Sequence, residues 1–250
     1  MSAIPNLLQN FINGLFVPAQ SGELLTKISP VDGTKQCRFP NSEAGDVAAA
    51  VSSAQDALKG WARTTPVARG VILRKLSLLL ERDANILGEI VARETGKSPS
   101  EGQGEVGGAA ALGHYYAGEG QRLYGRTTTS GVEGRMIMNV RRPRGVTALI
   151  AAANTPIANV AWKLFPALIC GNTVIMKSAE DTPATAWYVA KLALEAGVPA
   201  GVFNLLHGLG RETGGALVAH PDVDLISFTG STVVGREIQR IATERLARVS

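Results

Sequence analysis

Two short apolar runs, joined by a segment of helical periodicity, constrain the fold of this chain more than any other feature. The first run, VTALIAAA, covers residues 146–153, and the second, TVIM, covers residues 173–176. The segment between them is amphipathic to about Cys170 and is followed by the turn Gly171-Asn172. Two strands of this length connected by a helix form a βαβ unit, in which the strands run parallel.

A polar side chain follows each of these two strands. Asn154 comes directly after the first run, and Lys177 ends the second, with Glu180 three residues further on. In an open parallel sheet the ligand crevice lies just beyond the carboxyl ends of the strands. These residues are therefore candidates for a ligand site. Alternatively, Asn154 starts a turn before Pro156 and Lys177 is a solvated strand end.

The rest of the C-terminal sequence continues this alternation of strands and helices. We predict two further strands and three further helices at residues 201–206, 225–228, 183–196, 211–220 and 231–245. Thr182 is a candidate cap for the helix that begins at Pro183. The order predicts an α/β fold with an open, mostly parallel, Rossmann-like sheet and flanking helices.

The N-terminal half has a different pattern. Asn13-Gly14 lies between apolar pairs, which predicts a β-hairpin, and helical spacing begins after Ser42. Several glycines in the last predicted helix, near residues 101–123, indicate close packing rather than chemistry. We divide the chain into N-terminal strands and helices (1–122), an arm or linker (123–145) and a Rossmann-like core (146–250).

Charge, cysteine content and hydropathy argue against several classes of protein. The net charge is +4, and the one basic cluster, between Arg135 and Arg144, contains no aromatic residues, which argues against nucleic-acid binding. Cys37 and Cys170 match neither a disulfide framework nor a metal-binding spacing. No apolar run approaches the roughly 20 residues of a membrane span, and the N-terminus lacks a signal peptide. We expect a cytoplasmic protein without a metal site or a membrane partner.

Two glycine-containing turns are candidate phosphate sites. The turn from Gly208 to Gly214 contains GxG, but its third glycine is one residue late for the dinucleotide fingerprint. The run FTGS at 228–231 follows a strand and opens a helix, where free N–H groups and the Ser231 hydroxyl suit a pyrophosphate. A plain N-cap after a glycine turn explains the same residues.

Glu180 predicts which dinucleotide such a site prefers. A carboxylate can accept both hydroxyls of a ribose, and it repels a 2′-phosphate. A Glu180 that faces the adenosine ribose therefore favours NAD over NADP. Lys177 offers a charged donor to the same sugar. The alternative is a surface ion pair near the start of a helix, where a glutamate is favourable in any case.

Several segments resemble the aldehyde dehydrogenase superfamily, namely GNTVIMKSAEDTP, LEAGVPAGVFNLLHG, HPDVDLISFTGSTVVG and the final ARVS. The resemblance extends from the Asn13-Gly14 hairpin to Ser250 and implies oxidation of an aldehyde to a carboxylic acid with NAD(P)+. In the family a cysteine thiolate attacks the carbonyl, hydride passes to nicotinamide, and a glutamate base assists hydrolysis of the thioester. It also implies an aldehyde substrate and a homo-oligomer in the full-length form.

The resemblance implies roles for individual residues. Asn154 matches the catalytic asparagine whose amide helps to hold the oxyanion. Lys177 and Glu180 match the pair that binds the adenosine ribose. The other implied cofactor-binding residues are Gly210, Gly214, Phe228, Thr229, Gly230, Ser231 and Val234. Residues 123–140 match the start of the family's oligomerisation hairpin.

The sequence also departs from the family pattern. Ala152-Ala153 and Thr155 stand where the family usually has Pro-Trp and an aromatic residue around the asparagine, which leaves the type of aldehyde open. The Glu-Leu-Gly-Gly-Lys segment with the base, and the nucleophilic cysteine of a separate catalytic domain, are not found. Cys170 lies where the family has a small residue, and we interpret it as a buried apolar side chain.

We therefore expect the cofactor-binding half of an NAD-dependent enzyme, truncated before the last strand of its sheet and inactive alone. The alternative is a non-catalytic nucleotide-binding or assembly module derived from the same fold.

Overall fold

The structure is a computed structural model that describes residues 4–250. Its strands are β1 (Asn10–Ile12), β2 (Leu15–Val17), β3 (Leu24–Ile28), β4 (Lys35–Pro40), β5 (Arg126–Thr129), β6 (Met136–Asn139), β7 (Val146–Ile150), β8 (Thr173–Lys177), β9 (Phe203–Leu206), β10 (Leu225–Phe228) and β11 (Arg248–Val249). Its α-helices are α1 (Ala44–Arg63), α2 (Pro66–Arg82), α3 (Ala84–Thr95), α4 (Pro99–Glu119), α5 (Pro156–Ile169), α6 (Pro183–Ala196), α7 (Gly215–Ala219) and α8 (Thr232–Thr243).

The main sheet is open and mostly parallel, which confirms the predicted fold class. Its strand order is β11-β10-β7-β8-β9-β1-β2, and the five strands from β11 to β9 are parallel. Strands β7 and β8 are buried along their whole length because helices cover both faces of the sheet. Leu149 and Met176 belong to a core shared with α2–α6, whereas Ile150 and Ile175 belong to a core shared with α1, α7 and α8.

The predicted N-terminal hairpin forms and extends the main sheet. Phe11 pairs with Phe16 across the Asn13-Gly14 turn, and both turn residues have positive φ angles, 52° and 78°. Phe11 also pairs with Leu205 of β9, antiparallel to that strand. The edge of a five-stranded parallel sheet is thereby covered by local hairpin residues.

We expected the sheet to stop before its last strand, but a short edge strand is present at Arg248–Val249. Strand β11 lies within the chain and pairs in parallel with Leu225 and Ile226 of β10. The Ser250 N–H donates to the Ile226 carbonyl at 2.9 Å, and the Phe228 N–H donates to the Ser250 carbonyl at 3.0 Å. The chain reaches the free edge of β10 directly after the turn that follows α8, and the parallel pairing of β11 with β10 begins there.

The glycines of α4 allow close helix packing, as their number predicts. A Cβ atom on Gly102 would lie 2.2 Å from the carbonyl oxygen of Gly88 in α3. A Cβ atom on Gly113 would lie 2.2 Å from Ser77 Oγ and 2.5 Å from the ring of Phe165. Helix α4 therefore packs with backbone contact against α3 at Gly102 and closely against side chains of α2 and α5 at Gly113, and a side chain at either position would disturb this packing.

Outside the main sheet, β5 and β6 form a separate hairpin, and all of its strand residues are exposed. Among the helices of residues 4–250, none combines the length and the hydropathy that a membrane crossing requires.

Candidate functional site

A cleft of about 890 Å³ lies at the carboxyl ends of β7, β8 and β10. It brings together all the residues predicted to bind a cofactor, namely Lys177, Glu180, Gly210, Gly214, Phe228, Thr229, Gly230, Ser231 and Val234. They meet because the carboxyl ends of parallel strands share one edge of the sheet. Asn154 is not among the lining residues.

Lys177 and Glu180 form an ion pair at one end of the cleft, with Nζ 2.5 Å from Oε2. The Lys177 side chain is only 3% exposed, whereas that of Glu180 is 43% exposed. Burial raises the pKa of Glu180, but the charge and hydrogen bond of Lys177 and the N–H of Gly210 outweigh it, and the pKa is lowered overall. The pair thus presents an ionised carboxylate and a buried cation.

Gly210 leaves room beside this ion pair. A Cβ atom at this position would stand 3.8 Å from Glu180 Oε1 and 4.0 Å from Lys177 Nζ. The space between residue 210 and the ion pair is therefore open to a ligand because residue 210 has no side chain. Its lining offers a cation and carboxylate oxygens, which fit the hydroxyl groups of a ribose.

The FTGS turn connects β10 to the start of α8 and lines the cleft. Ser231 is the N-cap of α8, and its Oγ accepts from the Val234 N–H at 3.3 Å. A Cβ atom on Gly230 would lie 2.4 Å from the Phe228 ring, so a side chain at this position would have to displace that ring. In the cap, the Ser231 oxygen serves as an acceptor. The first N–H groups of α8 and the Ser231 hydroxyl proton remain donors, which suit a pyrophosphate.

The helix predicted at 211–220 is divided. Gly210–Gly214 forms a π-turn that α7 continues, because the Thr213 and Gly214 N–H groups both bond to the Leu209 carbonyl. The N-terminal segment holds this turn from outside. The Asn41 side chain accepts from the Leu209 N–H at 3.2 Å and donates to Glu212 at 3.1 Å. Nothing in the local sequence indicates this long-range contact.

Two apolar residues of α8 that the sequence did not assign to the cofactor site also line the cleft. Ile238 and Ile241 form part of its apolar wall together with Val234. Their spacing is that of one face of a helix. The pattern contained no signal that part of this face borders a cleft rather than packed side chains.

Asn154 lies in the loop that connects β7 to α5, outside the lining of the cleft. Its Oδ1 accepts from Asn159 Nδ2 at 3.2 Å, and its main-chain carbonyl accepts from Lys97 Nζ at 2.6 Å. The side chain is exposed. With Oδ1 engaged, Nδ2 is the group that can donate to a developing oxyanion.

Neither cysteine lines the cleft. Cys37 is buried, and burial raises the pKa of its thiol to about 12. Cys170 is exposed at the C-terminal end of α5, so the interpretation of a buried side chain was wrong. The helix turns there toward Gly171, and the apolar face of α5 ends one residue earlier. Within residues 4–250 no group of His, Cys, Asp and Glu side chains could hold a metal ion.

Comparisons with known proteins agree with this architecture. The model of the aldehyde dehydrogenase family matches residues 16–250. An aldehyde dehydrogenase of Aspergillus niger is 40% identical over 244 residues, which are 96% of this chain and 48% of the relative. The NADP(+) succinate-semialdehyde dehydrogenase of Escherichia coli is 36% identical over 97% of this chain and 50% of its own length.

A solved structure of an indole-3-acetaldehyde dehydrogenase of P. syringae, in complex with NAD+ and IAA, is 36% identical. It superposes with a TM-score of 0.95 over 98% of this chain and 50% of that protein. The chain spans about half the length of the relatives that it matches. A family match over nearly all of the sequence, together with this superposition, shows that the chain belongs to the aldehyde dehydrogenase family.

Proposed function

We propose that this chain is the dinucleotide-binding half of an enzyme that oxidises an aldehyde to a carboxylic acid, with NAD+ preferred over NADP+. The Lys177–Glu180 ion pair carries the proposal, because it stands in the open cleft with space left by Gly210. In this assignment Glu180 accepts the hydroxyls of the adenosine ribose and Lys177 donates to them. Relatives use either cofactor, so the preference rests on the Glu180 carboxylate alone.

The remaining lining residues would hold the rest of the dinucleotide. Gly210 and Gly214 lie on the π-turn that would border the adenine, and Val234 and Ile238 supply apolar contact. The first turn of α8, with Thr229, Gly230 and Ser231, would donate to the pyrophosphate. Bound NAD+ supplies the acceptor for the hydride.

Asn154 would contribute one donor to the oxyanion in this scheme. A donor aimed at the developing negative charge lowers the barrier for attack on a carbonyl. Neither cysteine lies at the cleft, so we assign neither as the nucleophile and expect the 250 residues alone not to oxidise aldehydes at rates of about 1 per second or more. Such turnover, measured as NADH formation with short, aromatic and acidic aldehydes, would contradict the assignment.

We also propose that residues 1–122 and 146–250 form one cofactor-binding unit and that 123–145 form an arm for homo-oligomerisation. The first proposal rests on β1, which pairs with β9, and on a core with side chains from both segments. The second rests on the exposed apolar residues Met136, Ile137 and Met138 of β6.

Lys177→Met is expected to weaken NAD+ binding by about 10- to 100-fold, because it removes a hydrogen bond from a charged donor. Methionine preserves most of the apolar stem, so the buried position remains filled. The measurement is the NAD+ dissociation constant by calorimetry. Lys191→Met, on α6 beside the Tyr188 ring, is the matched control and should leave the constant unchanged. Equal affinities for all three proteins would remove Lys177 from the site.

A further inference from the structure

The two helices that follow the functional strand ends begin in the same unusual way. Helix α5 starts with Thr155-Pro156, and α6 starts with Thr182-Pro183. In both, the threonine occupies the N-cap position without a side-chain cap hydrogen bond. Thr182 therefore occupies the predicted N-cap position, but its side chain does not cap the helix. An N-terminus without a local cap leaves backbone N–H donors that need other acceptors.

Glu94, at the end of α3, supplies the acceptors for α6. Its carboxylate accepts from the Ala184 N–H at 2.6 Å, the Thr185 N–H at 2.9 Å and the Thr185 hydroxyl at 2.6 Å. Glu94 is only 2% exposed. The first turn of α6 is thus held by a buried charge from another helix, which also interacts favourably with the helix dipole.

Glu105, on α4, does the same for α5. Its Oε1 accepts from the Ile157 N–H at 3.0 Å and the Ala158 N–H at 3.3 Å. Its Oε2 lies 2.8 Å from Lys97 Nζ, and the same ammonium donates to the Asn154 carbonyl. The Glu105 side chain is 10% exposed. Glu105 and Lys97 therefore hold both the helix start and the residue before its cap.

Both helix starts lie next to residues assigned above to the site. Ala184 follows Glu180 by four positions, and Ile157 follows Asn154 by three. Each glutamate therefore restrains a turn that begins at a proposed functional side chain and ends in a helix. The two glutamates come from the neighbouring helices α3 and α4, which pack with backbone contact at Gly88 and Gly102.

The geometry points to Glu94 and Glu105 as positioning residues, Glu94 for the ribose-binding turn 178–182 and Glu105 for the Asn154 turn. This role rests on the function proposed above. Neither glutamate lines the cleft, so each acts through backbone that it holds. Helices α3 and α4 together then fix the positions of the two turns that follow β7 and β8 relative to each other.

The environment of Glu94 makes this role sensitive to pH. Burial raises the pKa of Glu94 to about 7, against the hydrogen bonds from α6 and the charge of Lys27, which lower it. The other charged or titratable groups that interact with it are Lys27 on β3 and Cys37 on β4, and the pKa of the Cys37 thiol is about 12. The ionised form accepts all three hydrogen bonds, and the protonated form loses acceptor capacity. NAD+ affinity should therefore be higher above pH 7 than below it.

The test combines NAD+ titration with hydrogen exchange in the 250-residue chain. Glu94→Gln should weaken NAD+ binding about tenfold at pH 8 and remove the change of affinity around pH 7, since one acceptor and the charge are lost. Exchange in residues 178–186 should be at least about tenfold faster in this variant, while residues 154–160 are unchanged. Glu105→Gln should show the opposite exchange pattern. Glu94→Asp, which keeps the charge, should retain the pH dependence.

Two results would overturn the inference. The first is hydrogen exchange that becomes faster by the same factor in residues 178–186 and 154–160 in either variant, which would indicate general destabilisation. The second is an NAD+ affinity in Glu94→Gln that depends on pH as in the wild type. Asp46→Asn is the control, because Asp46 is also buried and accepts backbone N–H groups, from Gln20 and Glu43. It should change neither profile. Failure of the wild-type chain to bind NAD+ or NADP+ would contradict the proposed function, and the crossed exchange pattern would still decide the role of the two glutamates.

Discussion

Replacement of Glu180 by serine is expected to shift the cofactor preference toward NADP+ by about 10- to 100-fold. A carboxylate about 4 Å from a 2′-phosphate costs on the order of 1–4 kcal/mol at the effective dielectric constant of a partly exposed site. Serine removes this repulsion, while Lys177 and the exposed Arg211 remain at the cleft as cations that can bind a phosphate. NAD+ loses the acceptor for its ribose hydroxyls at the same time. The two effects act in the same direction on the ratio of the two affinities.

The measurement is the dissociation constant of each dinucleotide by calorimetry at two ionic strengths. Salt should reduce the difference, since part of it is repulsion between charges near solvent. Asp181→Asn is the matched control, because it removes a negative charge from the adjacent exposed residue, which does not line the cleft. An unchanged ratio in Glu180→Ser, or an equal shift in Asp181→Asn, would exclude Glu180 from contact with the ribose.

Gly102→Ala is expected to destabilise the fold by about 1–3 kcal/mol, although alanine is the better helix former. The added methyl group would stand 2.2 Å from the Gly88 carbonyl oxygen, which belongs to the backbone of α3. The helices must therefore separate, and the backbone contact between them is lost. Both helices carry a positioning glutamate, so we also expect NAD+ binding to weaken in this variant.

Gly107→Ala on the same helix is the matched control. Its methyl group would meet nothing within 4 Å. It should stabilise the chain by up to about 1 kcal/mol, because only the difference in helix propensity between glycine and alanine operates. Urea unfolding measures both variants through their midpoints and slopes. If the two substitutions change the midpoint in the same direction, close packing is not the reason for Gly102.

The elements of the Rossmann-like sheet were predictable because each has a local signature. The buried strands β7 and β8 are continuous apolar runs, and the glycine turns mark where strands end. The hairpin at Asn13-Gly14 was predictable for the same reason, since its turn needs positive φ angles. The pairing of this hairpin with β9 was not predictable from the sequence, because tertiary packing decides which strand edge a hairpin joins. The start of β11 likewise depends on the free edge of β10 rather than on two residues of its own.

The sequence by itself determined which polar residues follow the strands. Asn154, Lys177 and Glu180 are adjacent to apolar runs along the chain, and parallel strands place their carboxyl ends at one edge. Only the tertiary structure decided what holds them. Glu94 reaches across 90 positions to Ala184, and Glu105 reaches across 52 positions to Ile157. A buried carboxylate capping a distant helix has no local pattern, because its partners are backbone N–H groups that every residue except proline carries.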